Sequence, residues 1–133
     1  MKIINVAAAV IFRTAADDTK QIFATQRGYG DWKGWWEFPG GKIEDGETPE
    51  QALVREIREE LAAQISVMEL LDTIEYDYPA FHLSMKCFVC TIASGEPELL
   101  EHSNAVWLTR RTLHSVKWLP ADELILEKIA QKL

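Results

Sequence analysis

The segment Thr48–Leu61, TPEQALVREIREEL, commits the middle of the chain to a helix with an apolar side and an acidic side. Thr48 offers an N-cap hydroxyl, Pro49 suits the first helical position, and Gln51 stands three residues after the Thr, where a capping box needs it. At about 100° per residue, Leu53, Val54, Ile57 and Leu61 form an apolar stripe that should pack on a core. Glu56, Glu59 and Glu60 fall together on the neighbouring arc, at i, i+3 and i+4. Like charges at that spacing repel by about 0.2–0.5 kcal/mol per pair. Glu59 and Glu60 also lie in the last turn, where the helix dipole disfavours anions. A bound divalent cation relieves both penalties, and oxygen ligands suit Mg²⁺ or Mn²⁺. A solvated acidic face is the other reading of such a charge run.

The surroundings of the helix favour the metal. From Gly41 the chain runs Gly, five residues, Glu47, seven residues, then Arg55-Glu56-Ile57-Arg58-Glu59-Glu60-Leu61. This pattern resembles the Nudix box, the signature of hydrolases that cleave nucleoside diphosphates linked to another group. The signature ends on a Gly where this chain has Ala62. A residue with a Cβ reaches the left-handed conformation of a helix end at a cost of about 1 kcal/mol, so the last turn is expected to adjust instead.

The likeness extends through Gln26-Arg27, Trp36-Glu37-Phe38-Pro39-Gly40-Gly41-Lys42, Glu101-His102, Trp107 and Leu119-Pro120-Ala121-Asp122. Through these the chain is similar to the MutT-type nucleoside triphosphate pyrophosphohydrolases, and among them to the CTP pyrophosphohydrolases. The resemblance implies an α/β Nudix fold, a mixed β-sheet sandwiched between α-helices. It also implies Mg²⁺- or Mn²⁺-dependent hydrolysis of a nucleoside triphosphate to the monophosphate and pyrophosphate.

It implies roles for particular residues as well. Glu56, Glu59 and Glu60 become metal ligands, joined by the Gly40 carbonyl. Glu101 matches a loop carboxylate that binds metal or acts as base; a solvated loop acid is the equal alternative. Arg55 joins Glu56, Glu59 and Glu101 in the catalytic group, and its expected part is structural, pairing with Glu47 to hold the helix against the Gly-Gly turn. Arg27 and Lys42 are the candidates for binding phosphate, one a fork of donors and the other a mobile point charge. Asp122 matches a position that reads the base. An ionised Asp only accepts hydrogen bonds, which suits the exocyclic amine of cytosine. CTP, dCTP or a modified pyrimidine nucleotide therefore leads, with 8-oxo-dGTP as the alternative. Phe38 either stacks on the base or belongs to the core. Another nucleoside diphosphate derivative and a non-catalytic nucleotide-binding module are the remaining readings. The intact carboxylates weigh against the second of these.

Composition narrows the partners. With 133 residues, 47% of them hydrophobic, the chain suits a single domain over residues 1–133. A formal net charge of −7 argues against a nucleic-acid polymer or an anionic membrane surface. A small nucleotide remains suitable once metal and local cations neutralise its phosphates. No apolar run reaches transmembrane length, and Ile3–Phe12 reads as a buried strand rather than a leader. The cytoplasm is the expected compartment, and a monomer or homodimer the expected state. Cys87 and Cys90 form a lone C-x₂-C with no second pair for zinc. Three residues apart on a strand they point to opposite faces, as reduced core thiols.

The remaining elements follow from punctuation. Strands are expected at Ile3–Phe12 and Gln21–Arg27, hairpinned around Asp17-Asp18-Thr19, and at Trp35–Phe38, which enters a turn at Pro39-Gly40-Gly41. Two more, Ile65–Tyr78 and His82–Ile92, meet around Pro79-Ala80, and another covers Ala105–Leu108. Thr109 is placed as the N-cap of a short helix near Arg110–His114. Glu123–Leu133 is expected as one amphipathic helix with Leu124, Ile125, Ile129 and Leu133 inward.

Overall fold

The computed structural model describes residues 1–133. Its organising element is strand β1, Lys2–Thr14, which is bonded along both edges. On one edge it runs parallel to β6 (Phe81–Ser94), with Lys2 to Phe12 aligned against Phe81 to Thr91. The other edge is shared. Val6–Ala8 pair antiparallel with β4 (Gly40–Lys42), and Phe12–Thr14 pair with β2 (Lys20–Gln26). Strand β5 (Gln64–Tyr78) lies antiparallel beyond β6, while β3 (Trp36–Glu37) and β7 (Asn104–Leu108) both pair with β2. The result is a mixed sheet, as expected from the sequence, with seven strands where six were expected.

Alternation along β1 splits the core in two. Ala7, Ala9 and Ile11 face helix α1 (Pro49–Leu61), where they meet Leu53, Ile57 and Leu61. Ala8 and Val10 face the other way, toward Ile125, Leu126 and Ile129 near the C-terminus. Helices thus cover both faces of the sheet, an α/β/α sandwich. The capping box of α1 is formed as expected: Thr48 Oγ1 accepts from the Gln51 N–H at 3.1 Å, and Gln51 Oε1 accepts from the Thr48 N–H at 2.9 Å. Cys87 and Cys90 are both free and buried, one in each core. Burial pushes the Cys90 thiol up to about 12 and raises Cys87 too, which keeps both unreactive. No helix is long and apolar enough to cross a membrane.

Four expectations change. Gly40–Lys42 is a strand, not part of a turn, because the small Ala7-Ala8 pair lets its backbone close onto β1. Arg110–His114 forms hydrogen-bonded turns without a helix. Thr109 is no cap there; its N–H donates to Thr112 Oγ1 at 2.8 Å. The C-terminal helix is broken into α2 (Pro120–Glu123) and α3 (Leu126–Ala130). Three-residue bonds, Leu124 N–H to Ala121 O and Ile125 N–H to Asp122 O, tighten the join. That rephases the helix, so Leu126 turns inward and Leu124 is left 56% exposed. Finally, the last turn of α1 does not adjust: Ala62 itself takes the left-handed conformation, φ 53° and ψ 29°, and donates its N–H to Arg58 O.

Candidate active site

A cleft of about 470 Å³ opens where β1, β4 and α1 meet. One part of its lining is polar: Gly40, Gly41, Lys42, Glu44, Glu56, Glu60 and Glu101. Another is built from Arg27, Glu37, Phe38, Leu119 and Asp122. Trp32, Tyr78, Phe81, Leu83 and Met85 supply an apolar wall.

The two glycines are required by close approach. A Cβ on Gly40 would fall on the Ala7 carbonyl oxygen, and one on Gly41 would fall on the Glu56 carboxylate. Glu56 therefore rests directly on the β4 backbone. Arg55 fixes the helix from the other side. Its Nε donates to Glu47 Oε2 at 2.7 Å and Nη2 donates to Glu47 Oε1 at 3.0 Å and to the Lys42 carbonyl at 3.1 Å. Nη1 reaches Glu56 Oε1 at 2.9 Å. One guanidinium thus ties helix, loop and strand together, and hydrogen bonding to Glu47 holds its pKa above the ordinary Arg value.

The carboxylates divide by position. Glu60 is buried, and burial together with the neighbouring Glu56 pushes its carboxyl up to about 9. Its Oε2 has no hydrogen-bond partner. Glu59 stands outside the cleft with its side chain 57% exposed, 3.4 Å from Arg55 Nη1. Glu101 lines the cleft from the loop before β7, exposed to solvent. No three acidic or histidine side chains already converge on one point. The donors are oxygens, and a buried carboxylate oxygen without a partner is the kind of group a cation satisfies. The residues present therefore fit a hard divalent ion.

Away from the acids, Asp122 is fully buried. Its Oδ2 accepts the Phe38 N–H at 2.9 Å, across 84 positions of sequence. Burial, then the charge of Glu37, push its carboxyl up to about 8. Arg27 is bound to Glu37 by two bonds, Nε to Oε2 at 3.0 Å and Nη2 to Oε1 at 2.7 Å. Burial works against the Arg27 charge, and the Glu37 pair outweighs it. Phe38 is only 3% exposed and stacks on Trp118, with ring centroids 4.6 Å apart, so its ring belongs largely to the core. Lys42 is exposed at the mouth.

Three contributors carry parts that the sequence left unassigned. Glu37 neutralises Arg27 and raises both Asp122 and Glu60. Tyr78 accepts the Ala121 N–H through its hydroxyl at 3.2 Å, anchoring α2 beneath the cleft. His102 lies 3.6 Å from Glu60. The Arg27–Glu37 pair carried one legible signal, opposite charges at the two ends of a short loop between strands. The other two depend on the tertiary fold.

The NUDIX domain model matches residues 4–133. The chain belongs to the NUDIX family. It is similar to the 8-oxo-dGTP diphosphatase of Haemophilus influenzae, 35% identical over 96% of this chain and 92% of that protein. It is similar to the CTP pyrophosphohydrolase of Escherichia coli, 34% identical over 96% and 91%. Among solved structures, the MutT NUDIX hydrolase of Burkholderia pseudomallei superposes with a TM-score of 0.81 at 26% identity, covering 97% of this chain and 99% of that one. The protein is thus a NUDIX hydrolase of MutT type, from a family whose members use divalent metal ions and act on small nucleotides.

Proposed function

We propose that this NUDIX hydrolase cleaves a nucleoside triphosphate to the monophosphate and pyrophosphate with Mg²⁺ or Mn²⁺. The observation that carries this reading is one cleft lined both by the Glu56–Glu60 pair against Gly40-Gly41 and by the buried Asp122. Glu56 and Glu60 would hold the ion, with Glu101 and the Gly40 carbonyl as further ligands, and Glu59 would join them once its exposed side chain turns toward the cleft. When bound, the ion supplies charge neutralisation of the phosphates and a more nucleophilic water. Arg55 acts by position, keeping Glu56 over the glycine backbone. Lys42 meets the phosphates with a free ammonium. Arg27 meets them from a fixed orientation, since Glu37 holds its guanidinium in place.

Two readings of the base remain, and each has a ground. A pyrimidine, CTP or dCTP above all, follows from Asp122 as an acceptor for an exocyclic amine. The second, an oxidised guanine nucleotide such as 8-oxo-dGTP, is favoured by the burial of Asp122. A carboxyl held up to about 8 is protonated at neutral pH, so it offers an O–H donor as well as an acceptor. That donor can meet the guanine O6 while the carbonyl oxygen accepts the N7–H that oxidation creates. The two substrate types correspond to the names of the relatives above.

The test is a panel of ribo- and deoxynucleoside triphosphates, oxidised and methylated bases included, assayed with Mg²⁺ and with products resolved. Monophosphate plus pyrophosphate is expected. Release of orthophosphate alone from every active substrate, or undiminished turnover in excess chelator, would overturn the proposal.

A further inference from the structure

Only two buried side-chain polar atoms in the chain lack a hydrogen-bond partner, Glu60 Oε2 and His102 Nδ1. They belong to neighbouring residues: His102 Nε2 lies 3.6 Å from Glu60 Oε2, and each side chain is 10% exposed. Leaving polar atoms unpaired inside a protein is costly, so an adjacent pair of them marks a site built for something more than packing.

The loop that delivers His102 is fastened to the end of α1. Glu98 N–H donates to Leu61 O at 2.7 Å, Leu100 N–H donates to Glu60 O at 3.1 Å, and Ser103 N–H donates to Gln26 O at 3.1 Å. The first two bonds satisfy carbonyls that the helix end leaves open, and the third ties the loop to β2. Together they hold the imidazole against the side chain of Glu60, whose carbonyl the second bond caps. Glu60 and His102 both line a small chamber of about 70 Å³ beside the main cleft. Of its seven lining residues, His102 is the one that does not also line the main cleft. His102 therefore meets Glu60 without itself lining the main cleft.

We propose that His102 is a positioning residue that donates from Nε2–H to Glu60 Oε2 and so fixes which carboxylate oxygen Glu60 presents to the divalent ion. With Glu60 ionised as a metal ligand, its Oε2 is the acceptor facing Nε2, which sets the tautomer: the proton is on Nε2 and the lone pair on Nδ1. A closing of 3.6 Å to ordinary hydrogen-bond length takes a small rotation of either side chain. Outer groups that orient a metal ligand in this way usually change metal affinity by about 10- to 100-fold when removed. The inference rests on the reading of Glu60 as a metal ligand.

The experiment is a Mn²⁺ titration followed by electron paramagnetic resonance, without nucleotide, on the parent, His102→Ala, His102→Gln, His102→Asn and Glu60→Gln. Glu60→Gln checks the underlying reading: Mn²⁺ affinity equal to the parent would mean that Glu60 is no ligand, whatever His102 does. Given a Glu60 effect, His102→Ala should weaken Mn²⁺ binding by about tenfold or more. His102→Gln should recover most of the loss, because its amide nitrogen reaches the place of Nε2. His102→Asn should not, since its amide stands at the place of Nδ1. Parent-like Mn²⁺ affinity in His102→Ala overturns the proposal. If that variant does not fold, the Gln and Asn variants decide, and equal affinities for those two overturn it. A role in loop stability alone would lower the melting temperature of the metal-free protein and leave Mn²⁺ affinity unmoved.

Discussion

Arg55 grips Glu47 with two nitrogens, Nε at 2.7 Å and Nη2 at 3.0 Å, while a third nitrogen touches Glu56 at 2.9 Å. The acidic pattern on the helix is thereby coupled to the loop that precedes it. Arg55→Ala should lower the melting temperature and turnover together, with turnover falling by up to about a hundredfold as Glu56 loses its seat. Arg55→Lys should repair little of this, because a single ammonium cannot reproduce the fork. Thermal unfolding and steady-state kinetics on the same preparations check the coupling; a loss of turnover with an unchanged melting temperature would place Arg55 on the substrate instead.

Glu56→Gln and Glu60→Gln each take a charge from the ion, so each should reduce turnover by at least about a hundredfold. Their effects on the metal-free fold should be small. Glu60 in particular is held protonated near neutrality, with its carboxyl up at about 9, so an uncharged amide is a near match for it. Circular dichroism and a chelator-treated melting curve test the fold, and a turnover assay tests the role. Near-parental rates in both variants would move the site elsewhere.

Asp122 should make the protein less stable as pH rises. Its folded carboxyl sits at about 8, far above the unfolded value of about 3.9, so the folded state keeps a proton that the unfolded chain releases. The contribution of Asp122 is then greatest below about pH 4, declines through neutrality, and levels off above about pH 8. Glu60 contributes a slope of the same sign up to about 9. The clean comparison is Glu60→Gln against Glu60→Gln with Asp122→Asn, melted from pH 4 to 9 in chelator. The added Asn should flatten the decline; identical slopes would show that Asp122 is ionised in the folded protein. Where Asp122 reads an exocyclic amine as an ionised acceptor, Asp122→Asn should erode base discrimination by about 1–3 kcal/mol; where it reads the base as a protonated acid, Asn should keep most of the discrimination. It should leave the metal requirement untouched.

Ala62→Gly should stabilise the protein. Ala62 holds φ 53°, where a Cβ costs about 1 kcal/mol, offset in part by the greater freedom of Gly in the unfolded chain. A rise of up to about 4 °C in melting temperature is expected, with kcat/KM unchanged. A drop would mean that the Cβ makes a contact worth more than the strain.

What the sequence disclosed, and what it concealed, follows the range of each interaction. The Thr48–Gln51 capping box and the stripe Leu53, Ile57, Leu61 are set within a few residues, and the helix appears as read. Strands bounded by turns were legible for the same reason. Asp122 was legible as a member of the cleft through resemblance, whereas its charge state was not. That depends on Phe38, 84 residues away, and on Glu37, brought close by the pairing of β2 with β3. Phe38 showed only an aromatic beside Pro39, and its partner Trp118 became visible with the fold. The break at Leu124–Ile125 escaped because either phase of the sequence LILEKIA supplies apolar residues. The tight turn and packing on the sheet select the phase that buries Leu126.

The parallel pairing of Lys2–Phe12 with Phe81–Thr91 has a consequence for the order of assembly. A chain emerging from the ribosome can form the β1–β2 hairpin and the acidic helix long before the strand that completes the sheet exists. Until Phe81–Thr91 arrives, one whole edge of β1 is bare, including the apolar run Val6–Phe12, and nothing yet shields it from another chain. Closing contacts between such distant segments is slow. Fragments ending before Phe81 should therefore carry the complete acidic signature and still be insoluble, while lower expression temperature or a chaperone should raise the yield of the whole chain more than any change at the catalytic helix.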